Sequence, residues 1–381
     1  MAQEKIKNIL VLGLGRVGVL VATLLHETGY KVTGADAALS EDFPFDAKEL
    51  DVSNPAKLQA LMKDNDAVVS CLPFFLNKDI ARLAVEEGLH YFDLTEDVPT
   101  TQYILELAKD AKTVLAPQCG LAPGFIGIVG AYLARDFKKI RHMKLRVGAL
   151  PQHPTGHLGY AFNWSPEGVI NEYLNDCEVI ERGQKKLVSP LEWLEKIFIN
   201  GQELEAFTTS GGLGTMCDTY IDRVENLDYK SIRYPGHAKM MNFLLHELFM
   251  RENLQETAKV LSHAKPPVSE DIVYVHASVE GWSKHDKLLR EEFINGYLPK
   301  VINGRQWRAI SWTTAASVCS VIEMVDTGKL AGRGFIRQED IPFDEFLETR
   351  NGQLYKKRGP ADTSIEDIDI KYAATNESMS A

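Results

Sequence analysis

Gly13, Gly15 and Gly18 stand at G-x-G-x-x-G spacing inside "NILVLGLGRVGVLVATLL" (8–25), and Asp36 follows 18 positions after the last of them. The chemistry this pattern suits is recognition of a dinucleotide. Gly13 permits a tight turn, Gly15 lets a pyrophosphate approach the backbone, and Gly18 lets the ensuing helix pack closely on the strand before it. That helix opens with Arg16, Val17 and Gly18, and its first N–H groups are free for phosphate oxygens. Asp36 would accept hydrogen bonds from a ribose 2′-hydroxyl and repel a 2′-phosphate, which favours NAD. Arg16, beside the pyrophosphate, could reach a 2′-phosphate, so NADP remains possible.

The elements that must hold this loop are legible around it. Residues 8–12 form an apolar strand, and from Arg16 a helical pattern sets Val17, Val21, Leu24 and Leu25 on one face. "YKVTGAD" is a second strand ending at Asp36, a third ends at "LDV" (50–52), and "PAKLQALMK" is the next helix. "DAVVSCLP", stopped by Pro73, then "HYFDL" and "KTVLAP" (112–117) are further strands, with helices at 78–87 and 100–110 between them. Short apolar strands alternating with amphipathic helices predict a Rossmann-type, doubly wound parallel sheet, α/β in class, with ligands beyond the carboxyl ends of its strands. Those ends carry the phosphate loop, Asp36, Asp51 with Val52, the run Ser70, Cys71, Leu72 and Pro73, and Asp93 with Thr95. Asp51 and Val52 fall on the cofactor side, and Ser70–Pro73 would contact the nicotinamide ribose. Asp93 could hold a substrate ammonium or relay its proton, or cap the following segment; Thr95 would face the same substrate.

After the helix "GFIGIVGAYLARDF" the pattern changes. "RHMKLRVGAL" and the alternating "EDIVYVHASVEGW" are strands, while "RGQKKLV", "INGQELEAF" and "VINGRQWRAISW" are strand pairs or arms about Gly-containing turns. Asn200-Gly201 and Asn303-Gly304 are hairpin signals. A helix is expected over 238–250, and another over 314–326 whose Ala315, Val318, Cys319, Ile322 and Val325 make one apolar face. That face must be buried, so the late helix is placed beside the first domain. The expected organisation is a nucleotide-binding domain of residues 1–136 plus 312–346. An inserted α+β, mostly antiparallel domain of residues 137–311 serves substrate binding and dimerisation, and residues 359–381 are a mobile tail.

Composition narrows the function classes. The chain has 381 residues, 45% hydrophobic and 25% charged, with a net charge of −11. The negative balance argues against a nucleic-acid surface, and no apolar run reaches the roughly 20 residues that cross a bilayer. The N-terminal "MAQEKIK" carries no apolar leader, so a cytoplasmic enzyme is expected. Cys71, Cys119, Cys177, Cys217 and Cys319 form no C-x-x-C pair and the histidines no ligand spacing, so free thiols and no metal are expected.

Six blocks in order give the chain a more specific resemblance: "CLPFFLN" (71–77), "HYFDLTED" (90–97), "PQCGLAPGF" (117–125), "FNWSPEGVINEY" (162–173), "LEAFTTSGGLGT" (204–215) and "YKSIRYPGH" (229–237). With these the chain resembles the saccharopine dehydrogenase family, including its lysine 6-dehydrogenase branch, from Asn8 to about Phe346. The resemblance implies an NAD(P)-dependent oxidoreductase that oxidises the C–N bond of a lysine-derived amino acid by hydride transfer, water then releasing an aldehyde and an amine. For saccharopine these would be aminoadipate semialdehyde and glutamate. It also implies a homodimer with a small amino acid as its substrate partner. Ala122 departs from the acid that glutamate-forming fungal-type enzymes carry within "GLAPG" and matches the lysine 6-dehydrogenase branch, which would form a cyclic imine. A catalytically silent nucleotide-binding sensor is the alternative from another class.

Such a reaction needs a carboxylate anchor, a proton acceptor and a dry slot. Arg233, in "SIRYPGH", has the fork for a carboxylate, and His237 could act as acid or base. Asn163 and Ser165 are candidate substrate contacts, with Trp164 as a packing wall. Ser210 belongs to "TSGG", a possible cradle for a carboxylate. Cys119 lies near the slot with nothing beside it to make a thiolate.

Overall fold

The protein, described here from a computed structural model, is defined over residues 5–39, 42–356 and 370–372. Its first half runs β1 (Asn8–Leu12), α1 (Gly18–Thr28), β2 (Lys31–Asp36), β3 (Asp46–Glu49), α2 (Pro55–Met62), β4 (Ala67–Ser70), α3 (Asn77–Glu87), β5 (His90–Asp93), α4 (Val98–Leu107), β6 (Val114–Ala116) and α5 (Phe125–Ala134). Strands β1, β4, β5 and β6 are short and buried, as befits a sheet covered on both faces, whereas the edge strand β3 is mostly exposed. Neighbouring pairs are parallel, in the order β6-β5-β4-β1-β2-β3. This is the doubly wound arrangement, with its switch point between β1 and β4. The third strand ends at Glu49, before "LDV". There the Asp51 carboxylate accepts the Ser53 N–H (2.9 Å) and the Asp51 carbonyl accepts that of Asn54 (3.0 Å), turning the chain into α2.

The second half contributes β7 (Phe137–Pro151), α6 (Pro166–Glu172), β8 (Cys177–Glu181), β9 (Gln184–Val188), β10 (Glu195–Ile199), β11 (Gln202–Thr208), α7 (Met216–Tyr220), β12 (Val224–Arg233), α8 (His237–Asn242), α9 (Leu254–Ala264), β13 (Asp271–Ser283), β14 (Leu288–Tyr297), β15 (Lys300–Ile302) and β16 (Arg305–Trp307). Its large sheet runs β14-β13-β7-β12-β11-β10, with β8 and β9 hung from β12. Only β7 and β12 pair in parallel among these. Three two-residue hairpins share positive φ at both loop residues: Arg182-Gly183, Asn200-Gly201 and Asn303-Gly304. That geometry matches the twist of the flanking strands.

Besides α4, which lies two to three residues earlier than the expected 100–110, two later helices differ from the sequence expectation. The segment 238–250 is α8 followed by a π turn (Phe243–Glu247), and Phe249, at φ 55°, stops it. Met241 and Leu245 are buried, whereas Leu248 is exposed. The late helix, α10 (Ala309–Asp326), begins five residues earlier than expected, so "AISW" is helical and not a strand arm, with Arg308 just before it. Its start is set from a distance: both oxygens of Asp271 accept the Ala309 and Ile310 N–H groups, at 2.7 and 3.0 Å.

The apolar face of α10 lies against α1. The Cys319 thiol meets the Val21 carbonyl at 3.7 Å, and Asp326 accepts the Ile6 N–H (2.8 Å) and the Tyr30 hydroxyl (3.3 Å). These contacts put like end beside like end, so the two helices run parallel. Strand β17 (Gly334–Phe335) then pairs with β6 and extends the first sheet to seven strands. Much of one buried core is continuous from Val11 and Leu20 through Val318 and Ile322 to Val147 and Val275. Within 359–381, the described residues form β18 (Ile370–Tyr372), antiparallel to β10; the rest of that expected mobile tail lies outside the described residues. Among the described residues no helix is long and apolar enough to cross a membrane.

Candidate active site

The phosphate loop has the space its glycines predict. Gly13 adopts φ 88° and donates to the Ala35 carbonyl at 2.8 Å. A Cβ on Gly18 would lie 1.8 Å from the Gly13 carbonyl oxygen, whereas one on Gly15 would meet nothing within 4 Å. Gly18 therefore serves helix–strand packing and Gly15 faces open space, and α1 begins without a side-chain cap. The residues present fit a dinucleotide's pyrophosphate. Asp36 ends β2 and braces this loop, accepting the Leu14 N–H at 2.6 Å and the Ala38 N–H at 3.4 Å. A carboxylate has about four acceptor sites, so capacity remains for a ribose. Leu72 packs against Gly13, and Ser70 ends β4 with its hydroxyl on Asn77 at 2.7 Å. Asp51 and Val52 follow β3 in the turn before α2, Asp51 with its carboxylate already in that turn. Arg16 reaches the Phe162 carbonyl in the second half of the chain, at 2.9 Å.

The loop after β5 is tied down by its own residues and its neighbours, with one exception. Asp93 is fully buried and accepts four hydrogen bonds, from the Tyr91 hydroxyl (2.7 Å), Asn77 (3.4 Å) and the N–H groups of Thr95 (2.9 Å) and Gln118 (3.0 Å). Burial pushes its carboxyl up to about 6 against the pull of these donors. That set of partners ties β5 to β6, so Asp93 anchors the loop instead of holding an ammonium. Thr95 accepts the Asp97 N–H (3.1 Å), and Asp97 caps α4 through the Thr100 N–H (2.9 Å). Glu96 alone turns outward from this loop, to the opposite half of the chain. Its carboxylate lies against Gly168 of α6, and its carbonyl against Gly211 of the "TSGG" turn. Glu96 is 7% exposed, and burial, with the neighbouring Asp97 and Asp93 charges, pushes its carboxyl up to about 7.

Four residues after Gly168, on the same helix face, stands Glu172. It is 5% exposed, and burial together with the Glu96 charge holds its carboxyl well above the ordinary range, while Arg233 pulls the other way. Arg233, equally buried at the end of β12, donates from Nε to the Tyr173 hydroxyl (3.0 Å) and from one terminal nitrogen to the Ile232 carbonyl (2.8 Å). Its second terminal nitrogen has no hydrogen-bond partner among the described residues. Burial opposes its charge, yet Tyr173, Tyr160 and Glu172 keep it ionised. A guanidinium with one free edge suits a carboxylate.

His237 has a different task from the acid–base role its position suggested. Nδ1 meets the Leu158 carbonyl at 3.0 Å and must carry the proton, so Nε2 accepts from the Tyr173 hydroxyl at 3.0 Å. Tyr173 in turn receives Arg233, giving a relay of donors from Arg233 through Tyr173 to His237. Burial and the Arg233 charge lower the imidazole to about 3. It is neutral and fully bonded, and it positions Tyr173. Ser165 is likewise a cap: it is exposed, accepts the Gly168 N–H (3.2 Å) and donates to Glu167 (2.9 Å). Asn163 accepts the Val268 N–H at 2.8 Å. The Ser210 N–H is held by the Glu172 carbonyl at 3.1 Å, which fixes the "TSGG" turn beside the carboxylates. Cys71 and Cys119 are thiols, pushed up by burial and by Asp93.

Two family models cover the chain: the saccharopine dehydrogenase NADP binding domain matches residues 9–116, and the saccharopine dehydrogenase C-terminal domain matches residues 120–356. Among curated relatives, the mitochondrial alpha-aminoadipic semialdehyde synthase of Mus musculus is 24% identical over 255 residues, 62% of this chain and 28% of its own length. The saccharopine dehydrogenase [NADP(+), L-glutamate-forming] of Pyricularia oryzae is 24% identical over 270 residues, 66% of this chain. The chain thus spans 28% and 60% of these two relatives. The apo saccharopine dehydrogenase (L-Glu forming) from Saccharomyces cerevisiae has the same fold, with a TM-score of 0.71 at 17% identity, covering 97% of this chain and all of that one.

Proposed function

The chain belongs to the saccharopine dehydrogenase family, and from that premise we propose that it oxidises the C–N bond of a lysine-derived amino acid such as saccharopine. One observation carries this reading. Glu96, just past the end of β5, and Arg233, at the end of β12, reach one buried cluster through Glu172, two strands from the phosphate loop. The bound dinucleotide would supply a hydride acceptor there. Arg233 offers its free edge to the substrate carboxylate. Glu96, half ionised near neutral pH, takes the proton leaving the amine nitrogen. Loss of hydride from carbon and of that proton from nitrogen leaves an imine, and water adding across it releases aldehyde and amine. Glu172, its carboxyl raised by burial and by the Glu96 charge, lines the same site, and the Gly211 turn stacked on the Glu96 backbone keeps bulk water from it.

Arg233→Lys keeps the charge and loses the fork. It should raise KM for the amino acid about tenfold, the scale of one charge-assisted hydrogen bond, and leave cofactor affinity unchanged. An equal loss of cofactor binding would remove Arg233 from the substrate site.

The lysine 6-dehydrogenase reading has one observation of its own. Two buried carboxyl groups, Glu96 and Glu172, lie at this site, where a substrate ammonium would find acceptors. The cyclic product would separate it from the saccharopine reading, and nucleotide binding without turnover would point to a sensor.

For the cofactor we propose NAD, with NADP accepted more weakly, on the strength of the Asp36 carboxylate at the end of β2. Asp36→Ser should shift the ratio of dissociation constants about tenfold toward NADP, since a repelling charge near the surface is removed. An unchanged ratio places Asp36 away from the ribose. A cytoplasmic homodimer completes the reading, and sedimentation of the purified protein checks the assembly.

A further inference from the structure

Two guanidiniums converge on one backbone strip beside the phosphate loop, and among the described residues neither has a carboxylate as hydrogen-bond partner. Arg16 lies within the loop, exposed, and donates to the Phe162 carbonyl at 2.9 Å. Arg308, half-buried, immediately precedes α10 and donates from Nε to the Val268 carbonyl at 2.6 Å. The two acceptors belong to one strip, because Asn163 binds the Val268 N–H. Burial and the Arg308 charge both weaken the proton affinity of Arg16, so the cations feel each other. Asp271, the acid that senses Arg308, has both oxygens engaged by Ala309 and Ile310. The parallel packing of α10 on α1 explains the meeting, since it brings the start of α10 beside the start of α1 and hence to the loop.

Two like charges held near one another, with backbone carbonyls as their hydrogen-bond partners among the described residues, suit an anion. We propose that Arg16 and Arg308 form a two-arginine clamp for the pyrophosphate of the dinucleotide, with Arg308 supplied from outside the glycine loop. The inference rests on the dinucleotide reading above and adds a residue that no G-x-G-x-x-G pattern contains. The pyrophosphate is chosen over a 2′-phosphate because Arg16 sits between Gly15 and Gly18, whereas Asp36 occupies the ribose end.

The test is fluorescence titration of the apoprotein with NADH and with NADPH, alongside thermal shift with inorganic pyrophosphate. Arg308→Gln should raise both dissociation constants by about tenfold, the effect of one charge-assisted hydrogen bond, and abolish the stabilisation by pyrophosphate. Arg308→Lys, which keeps the charge, should recover part of both and guards against a folding defect. Unchanged affinity for both cofactors in a folded Arg308→Gln protein would overturn the clamp and leave the dehydrogenase reading standing. A loss confined to NADPH would overturn the pyrophosphate assignment. No binding of either cofactor by the unmodified protein would overturn the dinucleotide reading itself.

Discussion

Glu96→Gln should lower turnover by about 10²- to 10⁴-fold, the usual contribution of a positioned general base, with cofactor affinity unchanged. The change removes the proton acceptor and keeps the shape. The pH profile gives the sharper result. In the oxidative direction the ionised carboxylate is the active form, so kcat/KM of the unmodified enzyme should rise with pH through about 7, where burial and the Asp97 and Asp93 charges have moved this group, and then level off. In Glu96→Gln that limb should vanish. If the same limb persists in the variant, the acceptor is another group and Glu96 only lines the pocket.

The largest effect on stability is expected at Arg146. Its side chain is fully buried on β7, where Nε meets Glu195 of β10 at 2.5 Å and a terminal nitrogen meets Asp228 of β12 at 2.8 Å. Lys230 lies 3.1 Å from the other Glu195 oxygen. Arg146→Ala leaves two carboxylates facing one lysine, and breaking a buried pair from one side costs about 3–5 kcal/mol, measurable by urea denaturation. Part of that loss should return when Glu195→Gln is added. The cluster also sets an acid limit. Burial works against the Glu195 charge, but Arg146 and Lys230 prevail and pull its carboxyl down to about 2. A carboxyl lower in the folded than the unfolded state stabilises above its unfolded value of roughly 4.3. Its contribution therefore fades as pH falls from there toward 2. Arg146→Ala should lose most of this dependence; an unaltered acid profile would show that the pair is not coupled to folding.

The nucleotide-binding half was legible because its signals are local. The parallel order, the loop glycines and Asp36 at the end of β2 all follow from period, turn chemistry and spacing within a few dozen residues. The Asn-Gly hairpins were legible for the same reason. What escaped depended on partners far along the chain. The start of α10 is fixed by Asp271, 38 residues away. The outward turn of Glu96 is visible only once Asp93, Thr95 and Asp97 are seen to spend their oxygens on β5, its neighbours and the cap of α4, and Glu172 becomes its neighbour only when α6 packs against this loop. The spacing of "DLTED" holds a hint, since Asp97 precedes a helix as a cap would and leaves Glu96 free. His237 and Ser165 had suitable chemistry in suitable blocks, but burial and a capping bond gave them other work.

The most direct test of the account is cofactor reduction by the purified protein offered saccharopine, lysine and other lysine-derived amino acids, each with NAD and with NADP. The expected result is saturable reduction with at least one of them, and its loss in Glu96→Gln. Tight cofactor binding with no reduction by any of these substrates would contradict a dehydrogenase and leave a nucleotide-binding protein of another kind.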